Sequence, residues 1–328
     1  MAAVDVEALV VRYDDLTAVR GTSWSAEAGA VTALLGPNGA GKTSTVEVLE
    51  GYRACAAGHV RVLGLDPGTQ HGALVARMGV MLQRGGVYPT MRAGEAVELF
   101  CAYYGNVRRS VELLGLVGLT ERTRSTWRQL SGGEQQRLSL ALALAGDPAV
   151  AFLDEPTASV DVAGRQLVRR VIRDLADRGC CVVLTTHELD EAERVADHVV
   201  IIDHGEVVAD GTPDDLRRSG PAEVRFAAAP GLDTAALAAR VGADVREGDA
   251  GEYVVAAEGT PALVAALTAW LAESDLPLGD LRAGRQRLED VFLRLTAERT
   301  TAAPADVDDH ATNGVPATRR GRRRRTST

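Results

Sequence analysis

The sequence has almost no lysine. Of its 36 basic residues, 35 are arginine and one, Lys42, is lysine. The bias toward arginine and alanine is typical of genome composition rather than of a function. A chain that avoids lysine but keeps one in the segment GAGKTS indicates that arginine does not serve at that position.

Long apolar runs are also missing. The longest candidates, at 140–146 and 262–272, are too short to cross a bilayer as helices. The N-terminal segment has no basic stretch followed by an apolar run. We therefore expect neither a membrane-spanning helix nor a secretory signal.

Cysteine is scarce and lacks metal-binding spacing. No two of Cys55, Cys101, Cys180 and Cys181 form a CxxC pair. Cys180 and Cys181 fall inside an apolar run, which predicts buried thiols. This pattern fits a reducing cytoplasm.

The chain is acidic, with a net charge of −9. The residues from 301 onward carry six Arg and three Asp, so removing their +3 leaves −12 on the first 300 residues. A folded body of that charge argues against a nucleic-acid partner.

Short apolar runs alternate with segments of helical spacing. This pattern predicts an α/β fold with a mainly parallel sheet covered on both faces. The mostly helical periodicity from about 72 to 145 predicts a helical subdomain within it. The predicted strands lie at 6–13, 30–36, 59–66, 149–154, 180–186 and 198–211.

The composition changes near 212–220. We expect a large domain at 1–218 and a small α+β accessory or regulatory domain at 219–299. Residues 300–328 are low in apolar content and end in RRGRRRRTST, which predicts a disordered, Arg-rich tail.

The segment GPNGAGKT at 36–43 fits the pattern of a P-loop, and it follows a predicted strand and opens a predicted helix. In such a loop, backbone N–H groups surround the phosphates of ATP. Lys42 can reach the β- and γ-phosphates, and the Thr43 hydroxyl can bind Mg²⁺. The predicted ATP-binding residues of this loop are Gly36, Pro37, Asn38, Gly39, Ala40, Gly41, Lys42, Thr43 and Ser44.

Two acids end the apolar strand AVAFLDEP at 149–156. Asp154 is predicted to hold Mg²⁺ and Glu155 to act as the general base on the attacking water. Alone, the pair could equally be two solvated acids at a strand end. A P-loop earlier in the same chain favours the catalytic interpretation.

With LSGGEQQR at 130–137, the sequence resembles the ATP-binding subunit of an ABC transporter over roughly residues 4–215. In that family two copies dimerise head to tail, and each ATP lies between the P-loop of one copy and the signature of the other. The resemblance implies that five residues act in trans on the partner's ATP: Ser131, Gly132, Gly133, Glu134 and Asp161. Ser131 and Glu134 also have the spacing of a helix capping box, and both interpretations can hold together.

Further residues acquire roles from the same resemblance. Tyr13 resembles the aromatic residue that stacks on adenine, Gln83 the glutamine that contacts Mg²⁺ and the attacking water, and His187 the histidine that senses the γ-phosphate. Without the resemblance, Tyr13 would be interpreted as an ordinary strand tyrosine, Gln83 as a surface glutamine and His187 as a structural histidine. Ser159 and Val160 replace the commoner Gly-Leu before Asp161.

The segment LEDVFLRLT at 288–296 resembles the C-terminal end of ATPases in drug exporters of the daunorubicin/doxorubicin-resistance type. Leu288, Val291, Phe292 and Leu295 share one helical face, which we expect to close the small domain. The Arg cluster at 319–325 could be a flexible end or could attract anionic lipid.

The resemblance implies an ATPase that uses ATP and Mg²⁺, forms a homodimer and drives a separate transmembrane permease, with export of a drug-like or hydrophobic compound as the expected task. The expected location is cytoplasmic, at the inner face of the cell membrane. The alternative is a soluble ABC ATPase that acts on a ribosome or DNA. Such relatives carry two cassettes or a long coiled coil, and this chain has one P-loop.

Overall fold

The structure is a computed structural model that describes residues 2–82, 86–220, 222–284 and 287–294. Gln83 and the predicted tail at 300–328, with its proposed lipid contact, lie outside the described residues. Within these ranges, no helix is both long and apolar enough to span a bilayer.

A six-stranded sheet in the order β5-β6-β7-β3-β8-β9 forms the centre of the molecule. The first five strands in that order pair in parallel, and β9 pairs antiparallel with β8. The predicted α/β fold with a mainly parallel sheet is therefore confirmed. The strands are β3 Val31–Leu35, β5 Met78–Met81, β6 Val150–Asp154, β7 Cys181–Thr186, β8 His198–Asp203 and β9 Glu206–Gly211.

Continuous apolar runs form the central strands because both faces of the sheet are covered. In β3, Ala33 and Leu35 pack into one cluster, and Leu34 between them packs into a second cluster on the other face. The same alternation separates Val182 from Val183 in β7. Cys180 and Cys181 are buried thiols, as predicted.

An antiparallel sheet in the order β2-β1-β4 covers one face, and helices cover the other. Its strands are β1 Ala2–Tyr13, β2 Leu16–Glu27 and β4 Ala57–Val62. The helices of this part of the chain are α1 Lys42–Leu49, α2 His71–Val75, α3 Ala93–Tyr103, α4 Arg109–Leu116, α5 Gly132–Ala143, α6 Val162–Asp177, α7 Leu189–Val195 and α8 Pro213–Arg218.

Three details of the predicted element pattern were wrong. The region predicted as helical from 72 contains β5, which pairs in parallel with β6 inside the central sheet. β2 was missed, because its sequence mixes polar and apolar residues with Gly21 in the middle. The single run at 198–211 is a hairpin, because it turns at His204 and Gly205, both of which have positive φ.

Residues 224–283 form a βαββαβ unit. Its antiparallel sheet has the order β11-β12-β10-β13, and its own apolar cluster includes Phe226, Tyr253 and Leu267. This arrangement is that of a ferredoxin-like fold. The elements are β10 Val224–Ala227, α9 Thr234–Val241, β11 Val245–Glu247, β12 Glu252–Val255, α10 Pro261–Glu273 and β13 Leu281–Ala283.

The C-terminal helix, residues 288–294 as far as the chain is described, packs Leu288 and Phe292 on the large domain and not in the apolar cluster of the small unit, where we expected them. Leu288 is fully buried in the cluster of the large domain, and Phe292 packs against the same cluster. The Leu288 N–H donates to Glu193 Oε1 of α7 at 2.7 Å. The amphipathic pattern correctly predicted a buried face but could not identify what covers it. Leu295 lies outside the described residues.

Truncating Leu288 tests this contact. Leu288→Ala should lower the free energy of unfolding by about 2–5 kcal/mol, because it opens a cavity in a packed core. Urea unfolding of the full chain measures the loss. Leu293→Ala on the same helix is the matched control, since Leu293 is 57% exposed and should cost far less. Equal losses for the two variants would contradict the observed packing.

Candidate active site

The P-loop joins β3 to α1. Two of its glycines are required by close backbone approach: a Cβ on Gly36 would lie 2.1 Å from Ile202 O, and one on Gly41 would lie 2.6 Å from Ala18 O. Gly41 also has a φ of +102°, which side chains other than glycine rarely adopt. The loop therefore keeps its curl only with glycine at these positions.

Lys42 is folded back over the loop. Its Nζ donates to Gly36 O at 2.7 Å and to Pro37 O at 3.0 Å, and the side chain is buried. Burial lowers the pKa of Lys42, and the nearby charges of Glu155 and Asp154 oppose that shift. A cation thus already lies inside the loop where phosphates are expected to bind.

Glu155, His187 and Thr185 meet beside the loop. His187 Nδ1 lies 2.7 Å from Glu155 Oε1, although the two residues are 32 positions apart in sequence. Thr185 Oγ1 donates to Asp154 Oδ1, and the Glu155 N–H lies 3.2 Å from the same hydroxyl oxygen. Glu155 has a φ of +50°, a strained conformation for a residue with a side chain. β6 and β7 are adjacent, so their carboxyl ends place these groups together.

A cavity of about 440 Å³ brings together nine of the predicted site residues. Its lining residues are Tyr13, Leu16, Ala18, Asn38, Gly39, Gly41, Lys42, Thr43, Ser44, Asp154 and Glu155. The Tyr13 hydroxyl lies 2.9 Å from Ser44 Oγ and donates to Glu47 Oε2 at 3.3 Å. The remaining P-loop residues, Gly36, Pro37 and Ala40, belong to the same loop, where the Ala40 N–H donates to Pro37 O.

The oxygen donors fit Mg²⁺. Thr43 supplies a hydroxyl and Asp154 a carboxylate, both lining the cavity beside Lys42. Mg²⁺ prefers such hard oxygen ligands and usually takes only one or two from the protein. Glu50 lies near Asp154 but adds little charge at neutral pH, because burial, Asp154 and Glu47 raise its pKa to about 8.

The residues predicted to act in trans lie elsewhere. None of Ser131, Gly132, Gly133, Glu134 and Asp161 is among the described residues that line this cavity. Ser131 begins α5 with a capping box: its Oγ accepts the Glu134 N–H at 3.2 Å, and Glu134 Oε2 accepts the Ser131 N–H at 2.8 Å. The predicted cap is therefore confirmed, and it presents an exposed helix N-terminus.

The loop before α6 contacts this helix end. Asp161 caps α6 by accepting the Gly164 N–H at 2.7 Å. Ser159 has a φ of +60°, so serine stands where glycine is favoured. That conformation costs about 1–2 kcal/mol for a residue with a side chain. A Cβ on Gly133 would lie 3.1 Å from Ser159 O, so a larger residue at 133 would crowd the loop.

Sequence reasoning missed two residues of the site. Thr185 bonds both acids at the end of β6, and Gln136 of α5 donates to Glu155 O at 2.7 Å. Gln136 belongs to the predicted signature, and Thr185 lies two residues before His187. Both residues lie close in sequence to predicted site residues, and this was the only signal that could have found them. Their contacts with the two acids, however, join segments that are far apart in the chain.

Comparisons with known proteins identify relatives of this chain. The profile described as "ABC transporter" matches residues 19–158. The chain is 35% identical over 309 residues to the daunorubicin resistance ATP-binding protein DrrA2 of Streptomyces coeruleorubidus, covering 91% of this chain and 96% of that one. It is 36% identical over 307 residues to the Nod factor export ATP-binding protein I of Ralstonia nicotianae, covering 89% and 93%.

A solved structure of the ATP-binding subunit of an ABC transporter is also similar. It superposes with a TM-score of 0.62 at 26% identity, covering 66% of this chain and 92% of that one. The residues up to α8 make up about the same share of the chain.

Proposed function

The chain belongs to the ABC transporter family as an ATP-binding, ATP-hydrolysing subunit, and we propose that it drives export of a hydrophobic, drug-like compound through a separate membrane permease. The relatives named for daunorubicin resistance and for Nod factor export support the direction. One observation carries the assignment of the site: the P-loop, Asp154 and Glu155 line one cavity, with His187 bonded to Glu155.

We propose these roles for the cis site. The phosphates of ATP take the place of the Gly36 and Pro37 carbonyls at Lys42 Nζ, and the base stacks on Tyr13. Thr43 and Asp154, with Gln83, would hold Mg²⁺, whose charge offsets that of the phosphates. Glu155 accepts a proton from the attacking water.

His187 acts through Glu155 in this scheme. Its ring is 55% exposed, whereas the Glu155 side chain is 12% exposed, so the histidine reaches from the surface to the buried acid. The contact fixes the carboxylate toward the cavity. A γ-phosphate that bonds the exposed imidazole would thereby influence Glu155, the acid that positions the water.

We propose that a second copy completes each site. The capped end of α5 is exposed and lies outside the cavity, and such helix ends bind anions. Ser131, Gly132 and Gly133 of one copy would contact the γ-phosphate bound by the other, with Glu134 holding the cap and Asp161 lying at the interface. The closed dimer would then persist only while ATP bridges both copies.

We place the subunit in the cytoplasm against the inner face of the cell membrane, where the permease would dock. Residues 1–218 are the proposed ATP-binding domain and 219–299 an accessory domain. The packing of Leu288 on the large domain supports a structural connection between the two.

Co-expression tests the export function. We expect a gene beside the one for this chain to encode a hydrophobic protein of about six membrane spans. Everted vesicles that contain both chains should accumulate doxorubicin when ATP is supplied, followed by fluorescence quenching. Vesicles with Lys42→Ala, or without the membrane chain, should not. Uptake that persists with Lys42→Ala would contradict the proposal, as would co-sedimentation with ribosomes in place of membranes.

A further inference from the structure

Arg53 lies against the face of the Tyr13 ring. Its Cζ is 4.1 Å from the ring centroid, within the range of a cation–π contact. Its Nε donates to Glu47 Oε2 at 2.7 Å. Glu47 Oε2 also accepts from the Tyr13 hydroxyl at 3.3 Å. One carboxylate oxygen therefore holds both the ring and the guanidinium.

Arg53 and Tyr13 line different cavities, although their side chains are in contact. Tyr13 lines the cavity of about 440 Å³, and Arg53 is not among the described residues that line it. Arg53 instead lines a separate cavity of about 170 Å³ together with Cys55, His59 and Arg61. An aromatic ring has two faces, and the guanidinium of Arg53 covers one of them.

We propose that Arg53 is a positioning residue for the purine base of ATP, acting through Tyr13. This role rests on the ATP-binding function proposed above and extends it to a residue outside the recognised motifs. Arg53 and the hydroxyl contacts to Ser44 and Glu47 hold the ring at a fixed orientation. Adenine stacks on the opposite face, and the base completes an Arg53–Tyr13–purine sandwich.

Preorganisation is the physical reason for an effect on affinity. A tyrosine free to rotate must be ordered when the base binds, and that ordering weakens binding. A ring that is already held by Arg53 and by the contacts of its hydroxyl group loses less conformational freedom when the base binds. The cation also draws electron density from the rear face, which favours stacking of the electron-rich purine on the front.

The expected signature depends on the base and not on the phosphates. Lys42 lines the nucleotide cavity and Arg53 lines the other one, so the two cations contribute to different parts of the ligand. Loss of Arg53 should weaken ATP binding about three- to tenfold. Binding of inorganic tripolyphosphate, which has no base, should not change.

Isothermal titration of the full chain tests this inference, with ATP and with tripolyphosphate as separate probes. Arg53→Ala should weaken ATP alone. Arg53→Lys keeps the cation but loses the planar group, so it should retain part of the affinity. Arg61→Ala is the matched control, because Arg61 lines the same small cavity but bonds Gly64 O.

A double-mutant cycle separates positioning through Tyr13 from general structural damage. In a Tyr13→Leu background, Arg53→Ala should have no further effect on ATP binding. Additive losses, or an equal loss for tripolyphosphate, would overturn the inference. Thermal unfolding of each variant verifies that it folds. A wild-type chain that binds tripolyphosphate but not ATP would instead count against the proposed ATP function.

Discussion

Glu155→Gln should lower the rate of ATP hydrolysis by about 10²- to 10⁴-fold, the usual contribution of a general base. ATP binding should remain within about threefold of wild type, because the proposed phosphate contacts are made by the P-loop and Lys42 rather than by Glu155. If hydrolysis ends the proposed closed state, the variant should accumulate as an ATP-bound dimer.

Geometry is the reason to expect so large an effect. Glu155 lines the cavity, its side chain is 12% exposed, and His187 Nδ1 holds it at 2.7 Å. Glutamine can keep the contact to His187 but cannot accept a proton from water at neutral pH. Binding contacts therefore survive while the proton transfer is lost.

Glu50→Gln is the matched control. It removes a carboxyl group near the same strand end, but burial and the charge of Asp154 keep Glu50 mostly protonated at pH 7, with a pKa of about 8. A neutral amide then replaces a neutral acid, and turnover should stay near wild type. Single-turnover hydrolysis at pH 7 measures both variants. Wild-type turnover by Glu155→Gln would show that another group activates the water.

The central fold was predictable because its signals are local. A parallel sheet covered on both faces requires continuous apolar strands, so β3, β6 and β7 were recognisable from their composition. β5 was not, since four residues between helical segments carry no periodicity of their own. Its strand character comes from pairing with β6, which is a property of the assembled sheet.

Motif spacing likewise predicted which residues lie together at the candidate site better than it predicted their contacts. Lys42, Asp154 and Glu155 lie within motifs whose sequence context is short, and the structure places them around one cavity. Arg53 belongs to no motif, and its contact with Tyr13 spans 40 positions in the chain. A single sequence does not encode such distances directly, so the contact between Arg53 and Tyr13 could be recognised only in the three-dimensional structure.

The proposed trans arrangement of the site predicts a second large effect. Ser131→Arg should abolish ATP-induced dimerisation while leaving ATP binding by the monomer within about threefold of wild type. Ser131 is exposed and does not line the cavity of its own chain, so the substitution leaves the cis site intact. A long cationic side chain at this helix end would fill the space that the partner's γ-phosphate is proposed to occupy.

Loss of the helix cap must be separated from steric blockage. Ser131 Oγ accepts the Glu134 N–H, and any replacement that lacks this oxygen costs α5 about 1 kcal/mol. Ser131→Ala loses both the cap and the hydroxyl proposed to contact the γ-phosphate, but adds no bulk, so it separates these losses from steric blockage. In a Glu155→Gln background with ATP, light scattering should detect dimers for Ser131→Ala and monomers for Ser131→Arg. If the arginine variant dimerised normally, ATP would have to be held within one copy, and the exposed end of α5 would serve only to cap its helix.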